Sequence, residues 1–219
     1  DPLKAYGKTT DLTAMGGAQY VHTFDKCFFM PSDLTAGLEY NRDRLKDNMW
    51  GYNRHTDQTV NIYSAFLQNE WKNDRWGILI GGRLDKHNMV DNVIFSPRAN
   101  LRFNPTQNIN LRLSYSSGFR APQAFDEDMH IENVGGTVAM IERAKDLKEE
   151  KSQSFSVSAD MYHRFGAFQT NLLIEGFYTR LTDVFVLGKP YDRGDGILVK
   201  TRSNGPGAKV MGLTLEGKV

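Results

Sequence analysis

The sequence predicts an all-β chain, a portion of an antiparallel transmembrane β-barrel with about nine strands. Three observations lead there: strict two-residue alternation of apolar and polar side chains, arginines on the polar side of that alternation, and connections that alternate between short and long. The stretch Val93–Pro122 shows the first two together. Phe95, Pro97, Ala99, Leu101 and Phe103 share one face, and Ser96, Arg98, Asn100 and Arg102 the other. After a turn at Asn104, Pro105, Thr106 and Gln107, the pattern restarts with Ile109, Leu111, Leu113 and Tyr115 against Asn110, Arg112, Ser114 and Ser116. A soluble antiparallel sheet lying on a protein core alternates in the same way, so this hairpin alone leaves both architectures open.

The remaining strands follow in order. Met15–Phe24 alternates weakly and Leu34–Arg42 cleanly, and the charged stretch Asp43–Gln58 reads as a long loop. In Thr59–Trp71, Tyr63, Ala65 and Leu67 face outward and Ser64, Gln68 and Glu70 inward, with Phe66 an exception on the inner side. A short turn at Lys72, Asn73 and Asp74 leads to Arg75–Asp85, and the modest loop Lys86–Asn92 leads to the hairpin above. A long loop from Phe119 to about Lys148 precedes Glu150–Arg164, a tight turn at Phe165, Gly166 and Ala167, and a strand carrying Leu172, Ile174, Gly176 and Tyr178. Ile197–Ser203 is extended, and a last run sets Met211, Leu213 and Leu215 against Gly212, Thr214 and Glu216. Short turns follow the first, third, fifth and seventh strands, and long loops the second, sixth and eighth. A Greek-key sandwich has no reason to sort its loops this way, whereas a membrane barrel does, which tips the balance towards the barrel.

Composition bounds the alternatives. A net charge of +1 argues against a nucleic-acid surface. No run approaches the roughly 20 apolar residues of a membrane helix, which leaves strands as the means of crossing. Cys27 is the single cysteine and forms no intrachain disulfide. Thirteen Phe, nine Tyr and three Trp fit aromatic girdles as well as a packed core, and Trp50, Trp71 and Trp76 are expected at the membrane–water boundary. The N-terminus lacks a signal-like segment and the chain stops inside an alternating run, so a fragment of a longer barrel is expected.

Several pieces together resemble the β-barrel of TonB-dependent outer-membrane receptors, in the colicin, ferric-siderophore and vitamin B12 branch as found in Bacteroides-type bacteria. They are YSAFLQNEW (Tyr63–Trp71), GGRLD (Gly81–Asp85), SPRANLRF (Ser96–Phe103), LSYSSGFRAP (Leu113–Pro122), DLKEEKSQSFSVSAD (Asp146–Asp160), EGFYTRLTDVF (Glu175–Phe185) and the run Asn204–Glu216. Each piece is weak alone, and their order makes the match specific. The resemblance implies roughly 22 strands closed around an N-terminal plug, energised uptake of a ferric siderophore or cobalamin, and a bacterial outer-membrane location. It implies as partners the TonB complex acting through the plug, outer-membrane lipid, a metal-chelate or cobalamin-type ligand and a surface lipoprotein, with no nucleic acid. Plug, TonB-contacting segment and C-terminal strands are not recognisable here, so residues 1–219 are expected to form part of a single barrel domain and an open sheet. A passive porin-like barrel and a soluble β-sandwich binding module are the alternative functions.

Candidate ligand contacts concentrate in the loop after Phe119, where Phe125, Asp126, Glu127, Asp128, His130 and Glu132 lie close together. Carboxylates beside an imidazole suit divalent metals, but the order lacks EF-hand spacing, and a roofing, ligand-contacting loop is the better reading, together with Tyr52 in the stretch Asp43–Gln58. Arg120 keeps inward parity at the outer rim, where it contacts an anion or braces the loop. Arg98, Arg102 and Arg112, with Glu175, are expected to face the plug, the arginines pairing with plug or wall carboxylates such as Glu70, Glu175 and Glu216. No nucleophile elbow, metal-binding His pair or phosphate loop is present, so neither an enzyme nor a cofactor is predicted.

Overall fold

The computed structural model describes residues 6–123, 132–134, 137–194 and 196–219. Its strands are β1 (Gly7–Cys27), β2 (Met30–Met49), β3 (Arg54–Lys72), β4 (Trp76–His87), β5 (Ile94–Thr106), β6 (Ile109–Arg120), β7 (Glu132–Val134), β8 (Thr137–Arg143), β9 (Glu150–Phe165), β10 (Phe168–Thr182), β11 (Phe185–Leu187), β12 (Tyr191–Asp192), β13 (Leu198–Asn204) and β14 (Ala208–Lys218). Nine of them form one open sheet in the order β1-β2-β3-β4-β5-β6-β9-β10-β14, every pair antiparallel. A smaller sheet, β11-β13-β8-β7 with β12 beside β13, is built from the two long connections.

Register fixes the faces. Leu38 pairs with Ala65, Ala65 with Leu84, Leu84 with Phe95, Leu101 with Leu113, Leu113 with Val157, and Gly176 with Leu213, so one apolar surface runs unbroken across all nine strands. It is open: Phe95 is 61% exposed, Leu113 51% and Leu213 77%. The chain exposes 14372 Å², where a compact soluble monomer of its mass exposes only about 10,000 Å². Among the described residues, the buried apolar side chains are Leu45, Val60, Val90, Ile94, Ala121, Met140 and Val199, and all sit towards the long-loop end. The apolar surface therefore has no protein core to cover, as a lipid-facing wall requires and a soluble sandwich forbids.

Aromatic pairs bracket this surface. Phe29 stacks on Trp71 and Trp76 on Phe103 at the short-turn end, while Tyr40 meets Tyr63 and Tyr115 meets Phe155 at the other. Tyr63 to Trp71 is a nine-residue run of β3, the length of a tilted membrane-crossing strand, about 9–11 residues. Trp71 and Trp76 thus sit where the sequence places them. Trp50 does not: it stands ten residues beyond Tyr40 along the β2–β3 hairpin and stacks on Tyr6, about 30 Å from the belt.

The expected loop Asp43–Gln58 is corrected in the same way. β2 and β3 stay paired from Ser32–Trp71 to Met49–Arg54, and only a single 3-10 turn, Trp50–Tyr52, closes the hairpin. Above the hydrocarbon neither face needs to be greasy, so the apolar signal fades while the backbone ladder continues. The turn between β5 and β6 shifts to Gln107 and Asn108, after an irregular pairing between Phe103 and Thr106. The long loop from Phe119 to Lys148 carries strands of its own, β7 and β8.

Short turns close at one end of the sheet. In one, Asn73 accepts the backbone N–H groups of Arg75 and Trp76; in another, Gly166 takes a φ of +59°, which glycine supplies without strain. The inward Phe66 also finds its reason. It lies across Gly37 of β2, where an added Cβ would meet the ring at 2.2 Å, so the ring covers a strand position that has no side chain.

Candidate functional site

The polar face carries a network built by alternation. Glu39 (β2), Ser64 (β3), Arg83 and Asp85 (β4) all have inward parity. Arg83 reaches across β3 to donate to Glu39 at 2.6 Å, and also donates to Asp85 at 2.8 Å and to Ser64 at 2.8 Å, while Ser64 donates to Asp85 at 2.6 Å. Asp85 is almost fully buried, so this cluster locks three strands together. The sequence reading missed it, although the inward parity of Glu39, Arg83 and Asp85 was the available signal.

Towards the long-loop end, β2 and β3 carry a second ion pair. Arg54 donates to Asp47 through two nitrogens, at 3.1 and 2.7 Å, and Thr9 of β1 donates to the other carboxylate oxygen at 2.6 Å. Arg143 of β8 donates to Gln58 at 2.9 Å and to the Pro122 carbonyl at 3.0 Å, which ties the smaller sheet to the wall. Between them opens a cleft of about 690 Å³ bordered by Arg54, His55, Glu142, Arg143, Lys145 and Arg193. Cations outnumber the one carboxylate, Glu142, which lies 3.9 Å from Arg193.

His87 anchors the segment that leads into this region. It is fully buried, its Nδ1 accepts the Met89 N–H at 3.0 Å, and its Nε2–H donates to Gln123 at 3.3 Å. The bond from Met89 needs the neutral ring, since a protonated Nδ1 cannot accept; the bond to Gln123 survives protonation. Burial pushes the imidazole below its ordinary pKa, opposed by Gln123 and the nearby Asp85 carboxylate. With a lowered folded pKa, the unfolded chain binds the extra proton first, so this contribution is complete above about pH 6.5 and is lost as pH falls through the folded value. The thermal midpoint is expected to fall from pH 7.5 to pH 5 more steeply in the native protein than in His87→Asn, and equal slopes would contradict this role.

The residues singled out by sequence are dispersed. Arg98 shares a recess of about 520 Å³ on the polar face with Gln19, Phe66, Gln68 and Arg83. Arg102 lies opposite Arg112, a like-charged pair, and turns to the carbonyls of Asn73 (3.0 Å) and Trp76 (3.4 Å) at the short-turn end. No carboxylate among the described residues lies within ion-pair distance of Arg98, Arg102 or Arg112, and Glu216 bonds Lys218 at 2.8 Å, so the expected wall partners are not engaged. Glu175 faces inward opposite Ser158 and Thr214. Arg120 pairs in register with Glu150 and lies 5.6 Å over the Phe185 ring, while Glu150 accepts the Phe185 N–H at 2.8 Å. Glu132 opens β7 and Tyr52 ends the hairpin turn. Phe125, Asp126, Glu127, Asp128 and His130 lie outside the described residues.

Residues 4–219 match the family described as TonB dependent receptor-like, beta-barrel. The structure is similar to the siderophore receptor PirA from Pseudomonas aeruginosa (TM-score 0.81, 16% identity, 97% of this chain and 40% of that one). It is also similar to the ferric enterobactin receptor PfeA from the same organism, solved with enterobactin (TM-score 0.71, 20% identity, 95% and 33%). A third similar structure is the FrpB iron transporter of Neisseria meningitidis (TM-score 0.69, 15% identity, 95% and 34%). In sequence it is 23% identical over 206 residues to the probable hemoglobin and hemoglobin-haptoglobin-binding protein 3 of Haemophilus influenzae, covering 92% of this chain and 18% of that protein. The chain therefore spans less than half the length of these relatives. With the match running over nearly its whole length and the open apolar wall it explains, the chain belongs to the TonB-dependent receptor family as a stretch of its β-barrel.

Proposed function

We propose that this stretch of barrel is part of an outer-membrane receptor that takes up a ferric chelate of the siderophore class, with energy delivered by TonB. The observation that carries this reading is the cleft at the long-loop end, where Arg143, Lys145 and Arg193, beside the Asp47-bound Arg54, outnumber a single lining carboxylate. A ferric siderophore presents clustered oxygen donors and often net negative charge, which such a rim attracts and orients. Cobalamin, the other class the sequence suggests, lacks a comparable charge. The relatives whose names record siderophores, iron or hemoglobin point the same way.

Growth of a deletion strain tests the proposal. Under iron limitation it should fail on at least one ferric siderophore supplied as sole iron source, while growth on limiting cobalamin is unchanged. Uptake should also stop when the inner-membrane energising complex is inactivated, whereas a passive barrel would keep it. Unimpaired growth on every ferric siderophore would overturn the proposal.

A further inference from the structure

Immediately beyond the Tyr40–Tyr63 pair, charge is sorted by face. Register places Lys8, Arg42, Arg44, Lys46 and Lys86 on the side continuous with the apolar wall, and Asp57 with them. Asp11, Asp43 and Asp47 lie on the opposite side with Arg54. The run Arg42-Asp43-Arg44-Leu45-Lys46-Asp47 alternates so that every cation of it points out and both carboxylates point in. Random surface charge would not separate in this way. Asp57 lies between Lys46 (3.4 Å) and Arg44 (3.7 Å), which leaves the outward patch strongly positive.

Directly below the patch, within the apolar wall, lies a groove of about 530 Å³ bordered by Gly16, Ala18, Leu38, Tyr40, Tyr63 and Ala65. It exists because small residues lie between larger ones: a Cβ added at Gly16 would meet nothing within 4 Å. An apolar channel at membrane depth capped by cations at the boundary is complementary to one kind of occupant, an acylated lipid whose headgroup carries phosphate. A second copy of the chain would bring its own cations against these and is disfavoured by charge.

We infer that this face is a binding site for a phosphorylated membrane lipid, with an acyl chain along Gly16 and Ala65 and phosphate at Arg42, Arg44 and Lys46. The inference rests on the outer-membrane location proposed above. Each cation near a lipid phosphate strengthens binding roughly fivefold, so removing three costs roughly a hundredfold before the counter-charge of Asp57 is allowed for.

The test uses the full-length protein in detergent and native mass spectrometry, with phosphatidic acid, diacylglycerol of the same chains and inorganic phosphate as probes. The native protein should retain phosphatidic acid at least about tenfold better than diacylglycerol, and Arg42→Gln/Arg44→Gln/Lys46→Gln should abolish that preference. Gly16→Leu, which fills the groove, should weaken retention of both lipids. Equal retention of the two lipids by the native protein, an unchanged preference in the triple variant, or displacement of lipid by an equal concentration of inorganic phosphate would each overturn the site. Flotation of the native protein with liposomes separates the two levels: a protein that does not float removes the membrane reading as well, and one that floats without lipid preference removes only this site.

Discussion

Replacing Leu113 by arginine should destabilise the full-length receptor in lipid by about 2–4 kcal/mol, while Ser156→Arg should change it by less than about 1 kcal/mol. Both positions lie in adjacent strands at the same height, since Leu113 pairs with Val157 and Ser114 with Ser156. They differ in the face they occupy. Leu113 lies in mid-wall between Leu101 and Val157, so a guanidinium there must be held in hydrocarbon or must drag water towards it. Ser156 belongs to the polar face, where water or polar groups receive the charge. Reversible unfolding in phospholipid vesicles, monitored by tryptophan fluorescence, gives both values. In a soluble sandwich, Leu113 half exposed to water would accept arginine at almost no cost.

Loss of Arg54 is the second large effect. Asp47 is 2% exposed and receives two bonds from Arg54 and one from Thr9. Removing the cation leaves a carboxylate buried with one neutral donor, which typically costs 3–5 kcal/mol. Because the pair ties β1, β2 and β3 together beyond the membrane, the loss should appear in the hairpin tip, as new protease cleavage between residues 43 and 58, while the membrane-embedded part stays resistant. Arg54→Met combined with Asp47→Leu should recover most of the resistance, since both charges then disappear together. If Arg54→Ala alone leaves the hairpin as resistant as the native protein, the pair does not hold it.

The two results separate what was readable in the sequence from what was not. Facing could be read because hydrocarbon imposes it: Phe95, Leu101, Leu111 and Leu113 fall on one side for the same reason that Ser114 and Ser116 fall on the other. The extension of β2 and β3 could not be read as strand, because above the belt the sequence alternates in the sign of its charge and no longer in polarity. Asp43–Gln58 and Trp50 were misplaced together for that reason. The smaller sheet was out of reach, since β8 and β13 pair in parallel through residues some sixty apart, Leu198 with Ala139 and Arg202 with Arg143, with no periodic signal to announce it. The arginine column was recognised, and among the described residues no wall carboxylate pairs with it. Arg102 turns one nitrogen to the turn carbonyls of Asn73 and Trp76, and the ion network of the wall is centred on Arg83, whose partner Glu39 lies two strands away. Family resemblance supplied the barrel, but the cationic cleft came from the folded chain, because it joins residues of β3, β8 and the β12–β13 connection.

Spin labels placed singly from Ile109 to Ser116, in full-length protein carrying Cys27→Ser and reconstituted in phospholipid, measure the account's central claim. Collision with oxygen, which concentrates in hydrocarbon, should be high at 109, 111, 113 and 115, and collision with a water-soluble nickel chelate should be low there, with a strict two-residue period. Odd positions shielded from both reagents, with Arg112 and Ser114 open to bulk water, would mean a sealed protein interior and would contradict it.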